Sequence, residues 1–303
     1  MKLYAPEYYK KFTCIADKCT HSCCIGWEID VDPEALGKYR ALEHEYANKL
    51  ISSIDFSETP HFRLCENERC PHLNGNGLCG IILNLGEGYL CDICREHPRF
   101  YNCSPKGLEV GLGMACEEAC RLILTSDCYC ALAELDHESE EEIAYHRFDT
   151  FSLRERIYAV LANRNEPYQK RLERIYDDFS VNPADISDES WGNLISSLEY
   201  LDESDKTLFS CYSSELSTPP EHEKFLERAL AYFVFRHCTE AEDEYDYCAS
   251  LGFCLFCERL LASVLKTQGA GELSQIIRFA RIVSEELEYS EDNTESIKDV
   301  FYY

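Results

Sequence analysis

Four thiols fall within a few residues of one another near the start of this chain, as Cys14-x4-Cys19-x3-Cys23-Cys24, followed at once by Ile25-Gly26-Trp27. So many sulfurs in one short stretch cannot all point into an apolar core. A loop that presents several of them to one ion or cluster accounts for the spacing directly, because thiolates are ligands for zinc and for iron–sulfur clusters. A second group follows as Cys70-Pro71-His72-Leu73, a turn Asn74-Gly75-Asn76-Gly77, then Cys79. A third is Cys91-x2-Cys94-Arg95-Glu96-His97-Pro98-Arg99, and Cys116-x3-Cys120 opens an expected helix. The five later cysteines, 211, 238, 248, 254 and 257, lie on apolar helical stripes, where cysteine behaves as a small buried hydrophobe.

The 19 cysteines belong to a chain of 303 residues with net charge −27. The opening Met-Lys-Leu-Tyr-Ala-Pro-Glu has no apolar signal-like core. The most apolar stretch, Cys248 to Leu265, is interrupted by Glu258 and Arg259, so no membrane span is expected. A reducing cytoplasm is the expected setting, where clustered cysteines bind metal or do chemistry more often than they form disulfides. The acidic balance argues against nucleic acid as a partner and would suit a basic protein surface, though a solubilising coat is the more ordinary use of such charge.

Composition changes near residue 130. Residues 1–130 hold 14 of the 19 cysteines, 10 of the 14 glycines and 6 of the 10 prolines, with a net charge of −6. Residues 131–303 carry a net charge of −21 and few helix breakers. The expected organisation is a cysteine-rich metal domain over 1–130 and an acidic helical domain over 131–303. The fold class is mostly α: a loop-rich N-terminal part packed on a C-terminal helical bundle. Phe225, Leu226, Ala229, Leu230 and Phe233 recur at helical spacing, as do Leu273, Ile276, Ile277, Ala280, Val283 and Leu287. Helices are predicted around 152–164, 168–179, 222–238, 245–267 and 272–289. Two more are predicted in the first half, from Pro33 to Leu50 with Asp32 as cap, and over 117–134. Breaks are expected at Asn165-Glu166-Pro167, Asn182-Pro183, Thr218-Pro219-Pro220 and Gly269-Ala270-Gly271. An acidic patch runs from Glu138 to Glu142.

The run Phe12-x-Cys14-x4-Cys19-x3-Cys23-Cys24-x-Gly26-Trp27, with Asp32 shortly after, resembles the N-terminal signature of the flagellin lysine N-methylases, the FliB family. The later Cys70-Pro71-His72-Leu73…Gly77-Leu78-Cys79, Cys94-Arg95-x2-Pro98-Arg99 and Cys116-x2-Ala119 are similar to that family's downstream motifs. They also resemble small cysteine-rich domains that chelate zinc or iron. The likeness covers roughly residues 8–123. It implies methyl transfer from S-adenosylmethionine to lysines of flagellin, or of another lysine-bearing protein, by an enzyme that carries an iron–sulfur cluster. On the family pattern the metal positions are Cys14, Cys19, Cys23, Cys24, Cys70, Cys79, Cys94 and Cys116. Eight exceed the four that a [4Fe–4S] cluster takes, so some are supporting thiols, or there are two centres, such as two zinc sites with four cysteines each.

No glycine-rich turn of a Rossmann methyltransferase is present, since Gly86-x-Gly88 and Gly111-x-Gly113 are too short. Nor is there a Cys-x3-Cys-x2-Cys run of radical enzymes, because Gly26 stands where the third cysteine would be. Polar transfer is the expected chemistry, and it needs a proton acceptor and a dry channel of lysine width. Trp27, Tyr89, Phe100 and Tyr101 are aromatic candidates to face a sulfonium or a lysine stem, or else plain packing. His97 and Tyr101 are the catalytic candidates, and Trp27, Arg95 and Arg99 the cofactor-binding ones. The competing reading is a non-catalytic zinc- or iron-binding module whose helical half binds a protein.

Overall fold

The computed structural model describes residues 2–104, 106–135, 148–181 and 186–302. The acidic patch Glu138 to Glu142 and the break at Asn182-Pro183 lie outside the described residues. The chain divides into two compact units, one of residues 13–99 and one made of residues 1–12 together with 100–303. These units do not follow the compositional break near residue 130. Strand pairing is the reason. Strand β1 (Leu3–Pro6) starts the chain, and its partners come from more than a hundred residues downstream.

The smaller unit is rich in loops. Strands β2 (Ile29–Asp30), β3 (Ile54–Asp55) and β4 (His61–Phe62) form a small antiparallel sheet in the order β2-β4-β3, with Ile29 and Ile54 both paired to Phe62. Helix α1 (Pro33–Arg40) starts as expected, with the Asp32 carboxylate accepting from the Ala35 N–H at 2.9 Å and proline in the first turn. The predicted single helix to Leu50 is instead two. After α1 the chain turns at His44, whose Nδ1 accepts from the Tyr46 N–H, and α2 (Ala47–Ser52) begins there. Helices α3 (Gly80–Leu85) and α4 (Asp92–Glu96) complete the unit. Its core is small: Ile29, Val31, Ala35, Tyr39, Leu50, Ile54, Phe62 and Ile81, together with Cys70 and Cys91. A unit of this size with such short elements has little apolar area to hold it, the circumstance in which small folds use a metal or covalent staple.

The larger unit is mostly helical. Strands β5 (Arg99–Ser104) and β6 (Gly107–Leu112) lead to α5 (Glu117–Thr125) and β7 (Leu132–Leu135), so the helix expected over 117–134 stops at Thr125 and the chain returns as a strand. The sheet order is β5-β6-β1-β7, with β1 parallel to β6 and antiparallel to β7. Helices α6 (Thr150–Ala162), α7 (Tyr168–Asp178), α8 (Asp188–Ser197) and α9 (Glu203–Phe209) follow. Then come α10 (Pro220–His237), α11 (Glu244–Gln268), α12 (Leu273–Glu288) and α13 (Glu291–Lys298). The centre is α11, packed against α10, α12 and α13 and buried along most of its length. It is long and apolar enough to cross a membrane by composition, but 89% of its apolar window is buried inside the unit. Its interior charges, Glu258 and Arg259, pair with each other, and Tyr168 donates to Glu258 at 2.9 Å. It ends at Gly269 in the left-handed conformation, and a reciprocal Glu272–Gln275 cap starts α12.

Candidate metal centre

Backbone pairing in the smaller unit brings distant cysteines together. The Cys70 N–H donates to the Cys24 carbonyl at 2.8 Å and the Gly26 N–H to Glu68 at 3.1 Å, with Ile25 bridged to Arg69 between them. Gly26 sits at φ +93°, which a side chain would resist, and this lets the loop turn straight after the Cys23-Cys24 pair. The segment from Cys70 to Cys79 folds back on itself. Leu73 bridges to Cys79, the Asn74 side chain accepts from the Asn76 and Leu78 N–H groups, and Gly77 takes φ +74°. Cys79 is then the residue before α3, Cys91 the residue before α4, and Cys94 lies within α4.

The outcome places Cys24, Cys70, Cys79, Cys91 and Cys94 in or against one small core. The Cys94 thiol lies within electrostatic reach of Cys91, Cys24, Cys70 and Cys79. Cys24 and Cys79 both act on Cys70, and Cys24 acts on Cys79. Burial pushes Cys70 up to about 12 and Cys91 up to about 11, and it raises Cys79 and Cys94 as well. Backbone N–H groups act in the opposite sense, those of His72 and Leu73 on Cys70 and those of Ile82 and Ile81 on Cys79. Cys24 differs. A hydrogen bond from Cys23, helped by Ser22 and the charge of Arg69, draws it down to about 7. Thiols held neutral by burial yet facing N–H donors are the sort of site in which a bound cation stabilises thiolates.

By number and type, Cys24, Cys70, Cys79 and Cys94 fit the four-sulfur set of a [4Fe–4S] cluster or of a Zn(Cys)4 site. Among the described residues, no group of three or more His, Cys, Asp or Glu side chains is drawn close enough to hold a metal ion as it stands.

The other sequence candidates are placed differently. Cys14 and Cys23 are exposed, and Cys19 is half-buried and donates to the His21 carbonyl. Cys14 accepts from the Ala16 N–H at 3.4 Å. Cys116 belongs to the larger unit, just ahead of α5. Trp27 donates Nε1–H to the Cys23 carbonyl at 2.7 Å, and its ring centroid is 6.1 Å from that of His97. Arg95 is exposed and paired with Asp92 and Glu96, and Arg99 donates to the Arg95 carbonyl at 3.3 Å. Tyr101 is an exposed side chain of β5 in the larger unit. The Tyr89 carbonyl accepts from Tyr39, and Phe100 packs on Tyr232 and Phe235 under Arg236. Cys238 and Cys254 are fully buried, 3.7 Å apart.

Two supporting positions carry no signal strong enough to be assigned from spacing alone. Cys91, outside the family motif, is fully buried with the Tyr39 hydroxyl 3.4 Å from its sulfur. His72 is buried between the Tyr46 and Ser53 hydroxyls, each at 3.0 Å, and rests edge-on against Phe62. Burial takes its pKa down to about 4, so the ring is neutral near pH 7 and ties α2 to the Cys70 loop.

The chain is similar to a flagellar biosynthetic protein and to lysine-N-methylases of Salmonella. It is 26% identical over 150 residues to the flagellar biosynthetic protein FliU of Salmonella muenchen, covering 47% of this chain and 89% of that one. It is 24% identical over 192 residues to the lysine-N-methylase of Salmonella typhimurium (strain LT2), covering 61% of this chain and 43% of the methylase. The same identity and coverage hold for the lysine-N-methylase of Salmonella choleraesuis (strain SC-B67). The chain thus spans less than half the length of the two methylases. No family model matches it. No solved structure matches it either.

Proposed function

We propose that this chain is an S-adenosylmethionine-dependent lysine N-methyltransferase of the cytoplasm, acting on flagellin or another lysine-bearing protein. In this reading the unit of residues 13–99 is organised by a thiolate-ligated centre, most simply a [4Fe–4S] cluster, on Cys24, Cys70, Cys79 and Cys94. The observation that carries the activity is the similarity to two lysine-N-methylases over 61% of the chain. The placement of these four cysteines in or against one small core supports the centre.

S-adenosylmethionine, when bound, supplies a methyl group on a positively charged sulfur. The protein's part is to hold the lysine amine in line with that methyl, to take the proton that the ammonium must lose, and to exclude water. His97 beside the Trp27 ring is the candidate in the smaller unit for taking the proton, and Trp27 for facing positive charge. The four thiolates would hold the loops that position both residues, since Trp27 follows Cys24 by three residues and His97 follows Cys94 by three.

The test uses protein purified anaerobically. Iron, acid-labile sulfide and zinc are quantified, S-adenosylmethionine binding is titrated, and flagellin is incubated with the methyl-labelled cofactor. Label in flagellin lysines supports the activity, and iron with matching sulfide supports the cluster. Zinc without sulfide replaces the cluster by a zinc site. Absence of both cofactor binding and label leaves a metal-binding interaction module.

A further inference from the structure

A groove of about 440 Å³ opens in the smaller unit where β2 runs into α1, beside the start of α4. That is within the size range of small-ligand sites. Its walls are largely apolar, with Leu36, Pro60 and Ile93 among them, and three acidic residues also line it, Asp30, Asp32 and Asp92. Among the described residues no lysine or arginine lines it. The carboxylates are not equally available. Asp32 accepts the Ala35 and Asp92 N–H groups, one on each oxygen, and Asp92 is paired with Arg95. Asp30 is exposed and makes no ion pair among the described residues.

An occupant matched to such a groove has an apolar stem and one positive charge at its end. A lysine side chain has that form, four methylenes and an ammonium. Carboxylates around an ammonium favour its charged state, which opposes the proton loss that a methyl acceptor needs. We infer that this groove docks a lysine side chain of the protein substrate other than the one being methylated. The stem lies along Leu36, Pro60 and Ile93 and the ammonium faces Asp30. The inference rests on the methyltransferase reading for its purpose, and assigns the groove to substrate selection rather than to transfer.

The experiment measures binding of a fluorescein-labelled peptide with one lysine in a Gly/Ser/Ala frame, beside the same peptide with norleucine, to the full chain with its metal. Two variants are compared, Asp30→Asn and Thr59→Lys, both at exposed positions on or beside the groove, with circular dichroism and metal content as fold controls. The lysine peptide should bind more tightly than the norleucine one. The preference should fall about two- to five-fold in Asp30→Asn, the size of an exposed ion pair, and vanish in Thr59→Lys. Equal binding of the two peptides to the unaltered protein overturns the inference, as does a lysine preference that survives Thr59→Lys. With flagellin as substrate, the variants should raise KM at unchanged kcat. Methylation with unchanged KM in both variants removes the groove from substrate selection and leaves the methyltransferase reading standing. A groove-dependent lysine preference in a protein that neither binds S-adenosylmethionine nor transfers methyl keeps the groove and removes that reading.

Discussion

The carboxylate of Asp32 reaches across 60 positions of chain to accept the Asp92 N–H through Oδ2 at 2.9 Å. Its other oxygen accepts the Ala35 N–H at 2.9 Å, so one side chain closes the first turns of both α1 and α4. Hydrogen bonds to these N–H groups hold the Asp32 carboxyl below its ordinary range against the cost of its partial burial. Helix α4 carries Cys94, which makes Asp32 the link between the sulfur group and the sheet edge at β2.

Asp32→Ala therefore removes two caps at once and should destabilise the smaller unit by roughly 2 kcal/mol, about the upper end for one cap. Urea unfolding at pH 7 followed by fluorescence reads this directly. Asp32→Asn, which keeps an oxygen and can keep the Ala35 cap, should lose less. An unchanged midpoint in Asp32→Ala would mean that the two helix starts are held by other groups.

The grouping of sulfurs makes a prediction that separates the eight motif cysteines. Serine at Cys24, Cys70, Cys79 or Cys94 should each remove bound metal. Serine at Cys14, exposed and hydrogen-bonded locally to Ala16, should leave the metal content intact. Cys254→Ser, in the core of the larger unit beside Cys238, should lower stability by about 1–2 kcal/mol through a buried hydroxyl while keeping the metal. Metal analysis of the six purified variants decides the assignment. Loss of metal in Cys14→Ser with retention in Cys70→Ser would invert it.

How much of this was readable beforehand follows from how local each signal is. The long helices α6, α7, α10, α11 and α12 lie where apolar periodicity places them, because one stripe such as Phe225, Leu226, Ala229, Leu230 and Phe233 is enough to orient a helix. The polar helices α8, α9 and α13 bury few side chains each and carry no such stripe. The unit boundaries were not legible at all. They depend on Leu3 pairing with Leu108 and Leu135, and no local pattern encodes a partner that far away. At the sulfur group the family resemblance named Cys24, Cys70, Cys79 and Cys94 together with Cys14, Cys19, Cys23 and Cys116, and spacing alone did not choose among the eight. Only the fold shows Cys91 beside Tyr39, and only the fold separates the first four from the exposed Cys14.

In the larger unit the same non-local pairing buries a charge pair. Arg154 on α6 makes two 2.7 Å bonds to Glu109 on β6, with both side chains almost fully inaccessible, and a third to Thr239 at 3.2 Å. Replacing Arg154 by methionine leaves Glu109 charged and alone, which should cost about 3–5 kcal/mol. The double variant Arg154→Met with Glu109→Gln should recover a good part of that. Chemical denaturation of the four proteins forms a double-mutant cycle. A coupling energy near zero would show the pair to be dispensable to the core.

Glu286 on α12 predicts a pH dependence confined to one acid. It is buried and accepts the Leu201 and Asp202 N–H groups, yet desolvation, with Asp205 and Glu285 close by, lifts its pKa to about 7. A carboxyl whose pKa is higher folded than unfolded binds its proton more tightly in the native state. Its contribution to stability is therefore greatest below the ordinary value of 4.5 and declines as pH rises through about 7. The decline is on the order of 2–3 kcal/mol at most. Glu286→Gln cannot ionise and should remove this component. Its stability relative to the unaltered protein should rise steadily from pH 5 to pH 7.5 and level off above. Urea midpoints of the two proteins across that range test the sign, and a difference that stays flat, or falls, would show that Glu286 is ionised throughout.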